Sequence, residues 1–173
     1  VMLRDALKVM KSESVQYGTP VCYEDSDIDA ALGLWDVVPY HTLITCGDCT
    51  ASFYDAGHIL GSAMVRIERN GKSILCTGDL GNTPQPLLNP PERVEDYTYL
   101  LMESVYGDRL HEEVKERTSM LKRYVEETQE KKGTLIIPAF SLERTQGMLY
   151  ELNNLFESGE LSPIPVFLDS PLA

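Results

Sequence analysis

The chain predicts an α/β fold built on a mixed sheet, and three features of the sequence lead there. The first is a pair of hairpin signals. Ala63 to Arg69 alternates in part, with Met64 and Val65 and then Ile67. Asn70-Gly71 supplies the two positive-φ residues of a type I′ turn, and Ser73 to Cys76 returns. A shorter hairpin is expected where Leu43-Ile44-Thr45-Cys46 and Thr50 to Tyr54 flank Gly47-Asp48. The second feature is a charged segment, His111 to Lys132, with Val114, Leu121, Tyr124 and Val125 on one helical stripe. The third is the continuous apolar run Thr134-Leu135-Ile136-Ile137, the pattern of a parallel strand covered on both faces.

Composition bounds what such a fold can do. With 173 residues, 43% of them hydrophobic, the chain can bury one sizeable core, or one domain and part of another. No run approaches the roughly 20 apolar residues that span a bilayer. No apolar leader segment follows Val1-Met2-Leu3-Arg4, so a cytoplasmic protein with no membrane partner is expected. The four cysteines, Cys22, Cys46, Cys49 and Cys76, fit reduced and mostly buried thiols. A net charge of −12 opposes nucleic-acid binding by bulk attraction, because phosphate affinity rests on lysine and arginine. Binding to nucleic acid then requires metal ions and a few arginines on one face, with acid covering the rest.

The remaining elements follow in chain order. Met2, Leu3, Ala6, Leu7 and Met10 predict an amphipathic helix from residue 1 to about residue 13, ended by Tyr17-Gly18-Thr19-Pro20. A second helix starts from Asp25 or Ser26 as N-cap, with Ile28, Ala31, Leu32 and Trp35 on one face and Trp35 as a core or interface anchor. Pro84 to Pro91 is a proline-rich loop, and Tyr97 to Met102 a short apolar strand ending at Glu103. Gly133 is expected to stop the charged helix as its C′ residue. Ser141 should cap a further helix whose stripe is Met148, Leu149, Leu152, Leu155 and Phe156. Pro163 to Leu168 is the next strand, so residues beyond Arg109 read as β-α-β with a right-handed crossover.

Chemistry concentrates at His58 and Asp79. His58 sits in Asp55-Ala56-Gly57-His58-Ile59-Leu60-Gly61-Ser62-Ala63, where glycines allow a sharp turn and close approach to a ligand. Asp79 sits in Thr77-Gly78-Asp79-Leu80-Gly81, at the end of an apolar strand. The hairpin between them can bring both strand ends together, and an imidazole with a carboxylate suits a borderline cation such as Zn²⁺. Alone, a histidine beside glycines is usually a turn residue and a strand-end aspartate usually a cap; together they are more specific. Glu103, beside Asp79, either orients a histidine or holds a metal ligand in place, unless it merely caps its strand. Arg144, in the first turn of its helix, suits a phosphate or pairs with Glu143 or Glu151. Cys46-Gly47-Asp48-Cys49 has no second pair for a zinc knuckle and opens no helix, so it reads as a structural turn. His41 lacks partners at metal spacing.

The order D-A-G-H-I-L-G-S-A, T-G-D-L-G and Glu103-Ser104-Val105-Tyr106-Gly107-Asp108-Arg109 resembles the metallo-β-lactamase superfamily. In particular it is similar to the β-CASP branch of RNA- and DNA-processing nucleases, including the kind that matures mRNA 3′ ends. Val105 stands where that branch usually has Thr. Pro138-Ala139-Phe140-Ser141-Leu142-Glu143-Arg144-Thr145-Gln146 and Asp169-Ser170-Pro171-Leu172-Ala173 resemble its inserted domain, which clamps nucleic acid over the metal site.

The resemblance implies a sandwich-type core over 1–109 and the first part of the inserted domain over 110–173. It implies two zinc ions, with Asp79 bridging them and His58 on one. It makes Asp79 and Glu103 catalytic, with Glu103 orienting a histidine supplied beyond residue 173, and places Arg109, Ser141 and Arg144 on nucleic acid. The activity implied is hydrolysis of phosphodiester bonds in RNA, or in DNA or another single-stranded nucleic acid, with a homodimer left open. The family's H-x-H-x-D-H motif does not occur in the chain, and of His41, His58 and His111 only His58 sits in a ligand motif. Both ends fall mid-pattern, so a fragment of a larger enzyme, inactive alone, is expected. Three alternatives stand beside this. They are a thioester or lactam hydrolase on the same metal core, a catalytically silent scaffold subunit of an RNA-processing complex, and a redox protein using Cys46 and Cys49.

Overall fold

The computed structural model describes residues 2–110 and 114–169. The expected helix start at His111 and the ending Ser170-Pro171-Leu172-Ala173 lie outside the described residues, as does the side chain of Val114. Residues 2–38 form one compact unit with residues 168 and 169, and residues 39–167 form a second.

The first unit is a helix pair. α1 spans Met2–Tyr17 and α2 spans Asp25–Leu32, with Leu7 and Ile28 the buried side chains. α1 runs four residues further than its apolar stripe predicts. The N-cap of α2 is Glu24, one residue before the expected Asp25 or Ser26, and its N–H donates to Asp27 Oδ2 at 2.8 Å. That reciprocal bond satisfies a donor the helix start would otherwise leave open. Ion pairs of Arg4 with Asp29 and of Lys11 with Glu24 (2.9 Å) tie the helices, as does the Tyr23 hydroxyl donating to the Leu3 carbonyl at 3.1 Å. Glu24, through its hydrogen bond to the ammonium, holds the Lys11 pKa above the ordinary lysine value. Trp35 is no anchor within this unit. It lies past the end of α2 and is 68% exposed.

The second unit contains one five-stranded mixed sheet in sequential order: β1 Ile44–Cys46, β2 Cys49–Asp55, β3 Ala63–Arg69, β4 Lys72–Cys76 and β5 Tyr99–Leu101. The first three pairings are antiparallel, and β4 to β5 is parallel. Both hairpins form where expected. Asn70 at φ 51° and Gly71 at φ 69° make the β3–β4 turn, because a right-twisted pair of strands is matched by positive φ at both loop residues. Ala56, Met64 and Leu75 form the core of this part, with Tyr54, Leu80 and Val94 packed on it.

A separate core joins α3, Val114–Glu130, to α4, Arg144–Glu157, through Leu121, Val125, Leu152, Leu155 and Leu161. Each such leucine contributes about 1.5–3 kcal/mol by leaving water. The helical stripes are therefore right in their buried members, whereas Tyr124 and Leu149 stay largely exposed. The C′ residue of α3 is not Gly133 but Lys132, at φ 50°. Its N–H donates to Gln129 O at 3.0 Å and that of Gly133 to Thr128 O at 3.0 Å, the two bonds of a Schellman ending.

Three expectations fail here. Residues 134–137 and 163–168 form no strands, so the β-α-β unit is present only as its helices. A strand exists through its ladder, and among the described residues neither segment has one; Ile136 is 82% and Phe167 89% exposed. Ser141 does not cap α4, since the residue before the helix is Glu143, at φ 68°, and Phe140 O accepts the Thr145 hydroxyl at 2.8 Å. The cysteines are free, as expected, but not mostly buried. Cys22 and Cys46 are exposed, with Cys49 and Cys76 half-buried, because Cys46 and Cys49 pair across a solvent-facing turn. No described helix is long and apolar enough to cross a membrane.

Candidate active site

The register of the sheet decides where the site lies. Asp55 pairs with Ala63 and Val65 with Cys76, so the loop between β2 and β3 and the chain leaving β4 emerge at the same end. The first loop carries His58 and the second Asp79.

The His58 loop is closed by its own side chains. Asp55 Oδ1 accepts the Gly57 N–H at 2.8 Å, a turn that aspartate makes readily. Ser62 Oγ accepts the N–H groups of His58 (3.0 Å) and Ile59 (3.2 Å). The Ser62 carbonyl takes the Ala56 N–H at 3.1 Å and the Tyr40 hydroxyl at 2.9 Å. Burial first, then the Asp55 and Glu92 carboxylates, raise the Tyr40 pKa above its ordinary value, which keeps this hydroxyl a donor. Gly57, at φ 61°, has no room for a side chain: a Cβ would stand 2.6 Å from Asn89 O and 2.7 Å from Pro91 N.

The Asp79 loop is held from β5. Thr77 N–H donates to Leu101 O at 3.0 Å, and the Glu103 N–H to Thr77 Oγ1 at 3.2 Å. Glu103 Oε1 accepts the Leu80 N–H at 2.8 Å, next to Asp79. The two loops then meet, with Gly81 N–H donating to Ala56 O at 2.8 Å.

This scaffold brings His58 Nε2 and Asp79 Oδ2 to 3.9 Å, with side chains 41% and 77% exposed. One cation about 2.0–2.2 Å from each atom spans that gap, so the donor types and their separation fit a borderline metal ion. Among the described residues no group of three or more His, Cys, Asp and Glu side chains converges as a complete ligand set. Of the other expected residues, Glu103 is brought to the Asp79 loop. Arg109 lies over the Tyr106 ring, 5.1 Å from its centroid. Exposed Arg144 lines a cavity of about 450 Å³ with Ile137, Pro138, Ala139, Phe140 and Met148, and the Ser141 carbonyl takes the Gln146 side-chain amide at 3.0 Å. His41 is 3.3 Å from Glu92 Oε2. Asp55 and Ser62 lie in the motif around His58 but had no predicted role in building the site, and Glu92 lies outside every motif. Only the Asp-x-Gly spacing of Asp55 and Gly57 gave a local signal.

No protein-family model matches the chain. Among curated proteins it is 33% identical over 174 residues to a ribonuclease of Thermus thermophilus, covering all of this chain and 38% of that protein. It is 35% identical over 157 residues to an RNase J-like protein of Methanocaldococcus jannaschii, covering 87% of this chain and 37% of that protein. With cleavage and polyadenylation specificity factor subunit 3 of Dictyostelium discoideum it shares 30% identity over 178 residues, covering 100% of this chain and 22% of that protein. The chain thus spans little more than a third of these relatives at most. Matched along its length by a ribonuclease, an RNase J-like protein and a cleavage and polyadenylation specificity factor subunit, with His58 and Asp79 held at one sheet end, the chain belongs to the β-CASP branch of the metallo-β-lactamase superfamily.

Proposed function

We propose that this chain is part of a metal-dependent ribonuclease that hydrolyses phosphodiester bonds in RNA. The observation behind the proposal is the 3.9 Å approach of His58 Nε2 to Asp79 Oδ2, on loops fixed by backbone hydrogen bonds, in a chain whose relatives are named as ribonucleases. Zinc is the metal proposed, with His58 and Asp79 among its ligands. When bound, such an ion lowers the pKa of water and stabilises charge developing on phosphate oxygens.

The chain's own residues prepare that chemistry. Asp79 presents an exposed carboxylate that would help hold the metal, since its loop is fixed through Leu80 and Gly81 instead of through its side chain. Glu103 spends Oε1 on the Leu80 N–H, and its other oxygen is left to orient a histidine of the complete enzyme. Arg109, Ser141 and Arg144 are proposed to meet the RNA, with Arg144 beside an apolar cavity where a base can lie. The division after residue 109 is supported by the two cores, one within residues 54–94 and the other within 121–164.

The test is cleavage of an end-labelled RNA by the complete protein with zinc, compared with Asp79→Asn. Cleavage should vanish while the melting temperature stays within about 1 °C, since the Asp79 side chain is mostly in solvent and meets His58 only at 3.9 Å. Cleavage retained by the metal-replete variant overturns the assignment.

A further inference from the structure

The end of the proline loop makes contacts that neither the motif nor its chemistry requires. Glu92 N–H donates to Asp55 O at 2.9 Å, and Glu92 Oε1 accepts Asp55 N–H at 2.9 Å. Both backbone groups of the last β2 residue are thus taken by one glutamate. Its other oxygen, Oε2, faces His41 Nε2 at 3.3 Å. His41 holds that place at some expense to its backbone, with φ at 63°, a region most L-residues avoid. Its N–H donates to Phe53 O at 2.8 Å, and its ring stands edge-on to Tyr54 at 5.3 Å between centroids. Asp55 in turn accepts the Gly57 N–H, and Gly57 is pressed against Asn89 and Pro91. A continuous set of contacts runs from His41 through Glu92, Asp55 and Gly57 to His58.

We propose that Glu92 is a positioning residue for the metal-ligand loop: through Asp55 it sets the angle at which His58 is offered toward Asp79. This rests on the metal reading of His58 and Asp79. Glu92 touches neither of them, and its carboxylate works by replacing the strand partner that Asp55 N–H lacks at the sheet end. Without it, Asp55 can rotate out of the turn that fixes Gly57, and His58 loses its aim while the β3–β4 hairpin is untouched.

Amide hydrogen exchange and a zinc titration on the wild-type protein, Glu92→Ala and Glu92→Gln test this. In Glu92→Ala, exchange at Gly57 and His58 should rise about 10-fold or more, with Ile67 and Ile74 of the hairpin within about 2-fold. Zinc affinity should fall about 10-fold, the usual effect of losing a residue that orients a ligand. Glu92→Gln keeps an acceptor for Asp55 N–H and should bring both readouts to within about 3-fold of wild type. Exchange that rises equally at all four amides means that Glu92 only stabilises the fold, and overturns the proposal. So does unchanged exchange at Gly57. If the wild type takes up no zinc while Gly57 is selectively freed in Glu92→Ala, the metal reading fails but the control of the loop by Glu92 stands.

Discussion

Gly81 lies so close to Gly57 that a Cβ on Gly81 would overlap the Gly57 carbonyl and come within 2.9 Å of His58 N. The loops that carry His58 and Asp79 are joined backbone to backbone, with no side chain between them. That contact, closed by the Gly81 N–H to Ala56 O bond, brings Asp79 within reach of His58.

Gly81→Ala should therefore drive the loops apart. A methyl group against a fixed carbonyl destabilises by about 1–3 kcal/mol or more. Zinc affinity should fall even where the sheet remains folded. Thermal melting with a zinc titration checks this, and a variant that melts and binds as wild type does would mean the loops are not in contact.

The observed bond of Glu103 to Leu80 and its proposed role in turnover separate by substitution. Glu103→Ala removes the acceptor for Leu80 N–H and should cost about 1–2 kcal/mol of stability. Glu103→Gln keeps an acceptor and should stay within about 0.5 kcal/mol. In the complete enzyme Glu103→Gln should still slow turnover roughly 10²-fold, because the charge that favours an imidazolium partner is gone. Unchanged turnover with intact metal would leave Glu103 as a cap alone.

Lys132→Gly should stabilise the α3–α4 part. Lys132 sits at φ 50°, where an L-residue is disfavoured by about 1–2 kcal/mol and glycine is not. Glycine's larger unfolded-state entropy offsets part of this, leaving a net gain of about 0.5–1 kcal/mol. Denaturant unfolding reads it, and a loss of stability would show that the lysine side chain makes a compensating contact.

Tyr40→Phe tests the tether on the His58 loop. The folded pKa of Tyr40 is raised above 10.0, so the folded state holds this proton more tightly than the unfolded one. Stability from Tyr40 is then fully present below pH 10 and is lost as pH rises through the folded value. The variant should lose about 1 kcal/mol at pH 7 with its hydrogen bond to Ser62 O, and should decline less steeply above pH 10. Equal slopes in alkaline melts would argue that Tyr40 does not carry this dependence.

Much of the molecule was legible in local pattern. Asn70-Gly71 announced its hairpin because two positive-φ residues between apolar runs admit few other structures, and Gly47-Asp48 did the same for β1 and β2. The stripes of α3 and α4 named Leu121, Val125, Leu152 and Leu155 as buried. His58 and Asp79 stood out because glycines and strand ends free a side chain to face a ligand. In each case the signal lies within a few residues of what it specifies.

Most of what failed depends on neighbours distant in sequence, the one-residue miss at the end of α3 being local. Thr134 to Ile137 has the composition of a strand, yet composition cannot supply the partner whose hydrogen bonds make one. Gly133 looked like the end of α3, and the turn was taken by Lys132 because the last carbonyls chose it. Trp35 and the cysteines were placed by residue type, while exposure is settled by what packs on them. The sequence alone thus determined the hairpins, the buried members of the helical stripes and the pairing of His58 with Asp79 as the candidate site. The tertiary structure alone decided that Glu92 holds Asp55, that Glu103 holds Leu80, and that Gly57 and Gly81 touch. Those contacts join segments 23 to 37 residues apart, and only a folded sheet brings such segments within hydrogen-bonding distance.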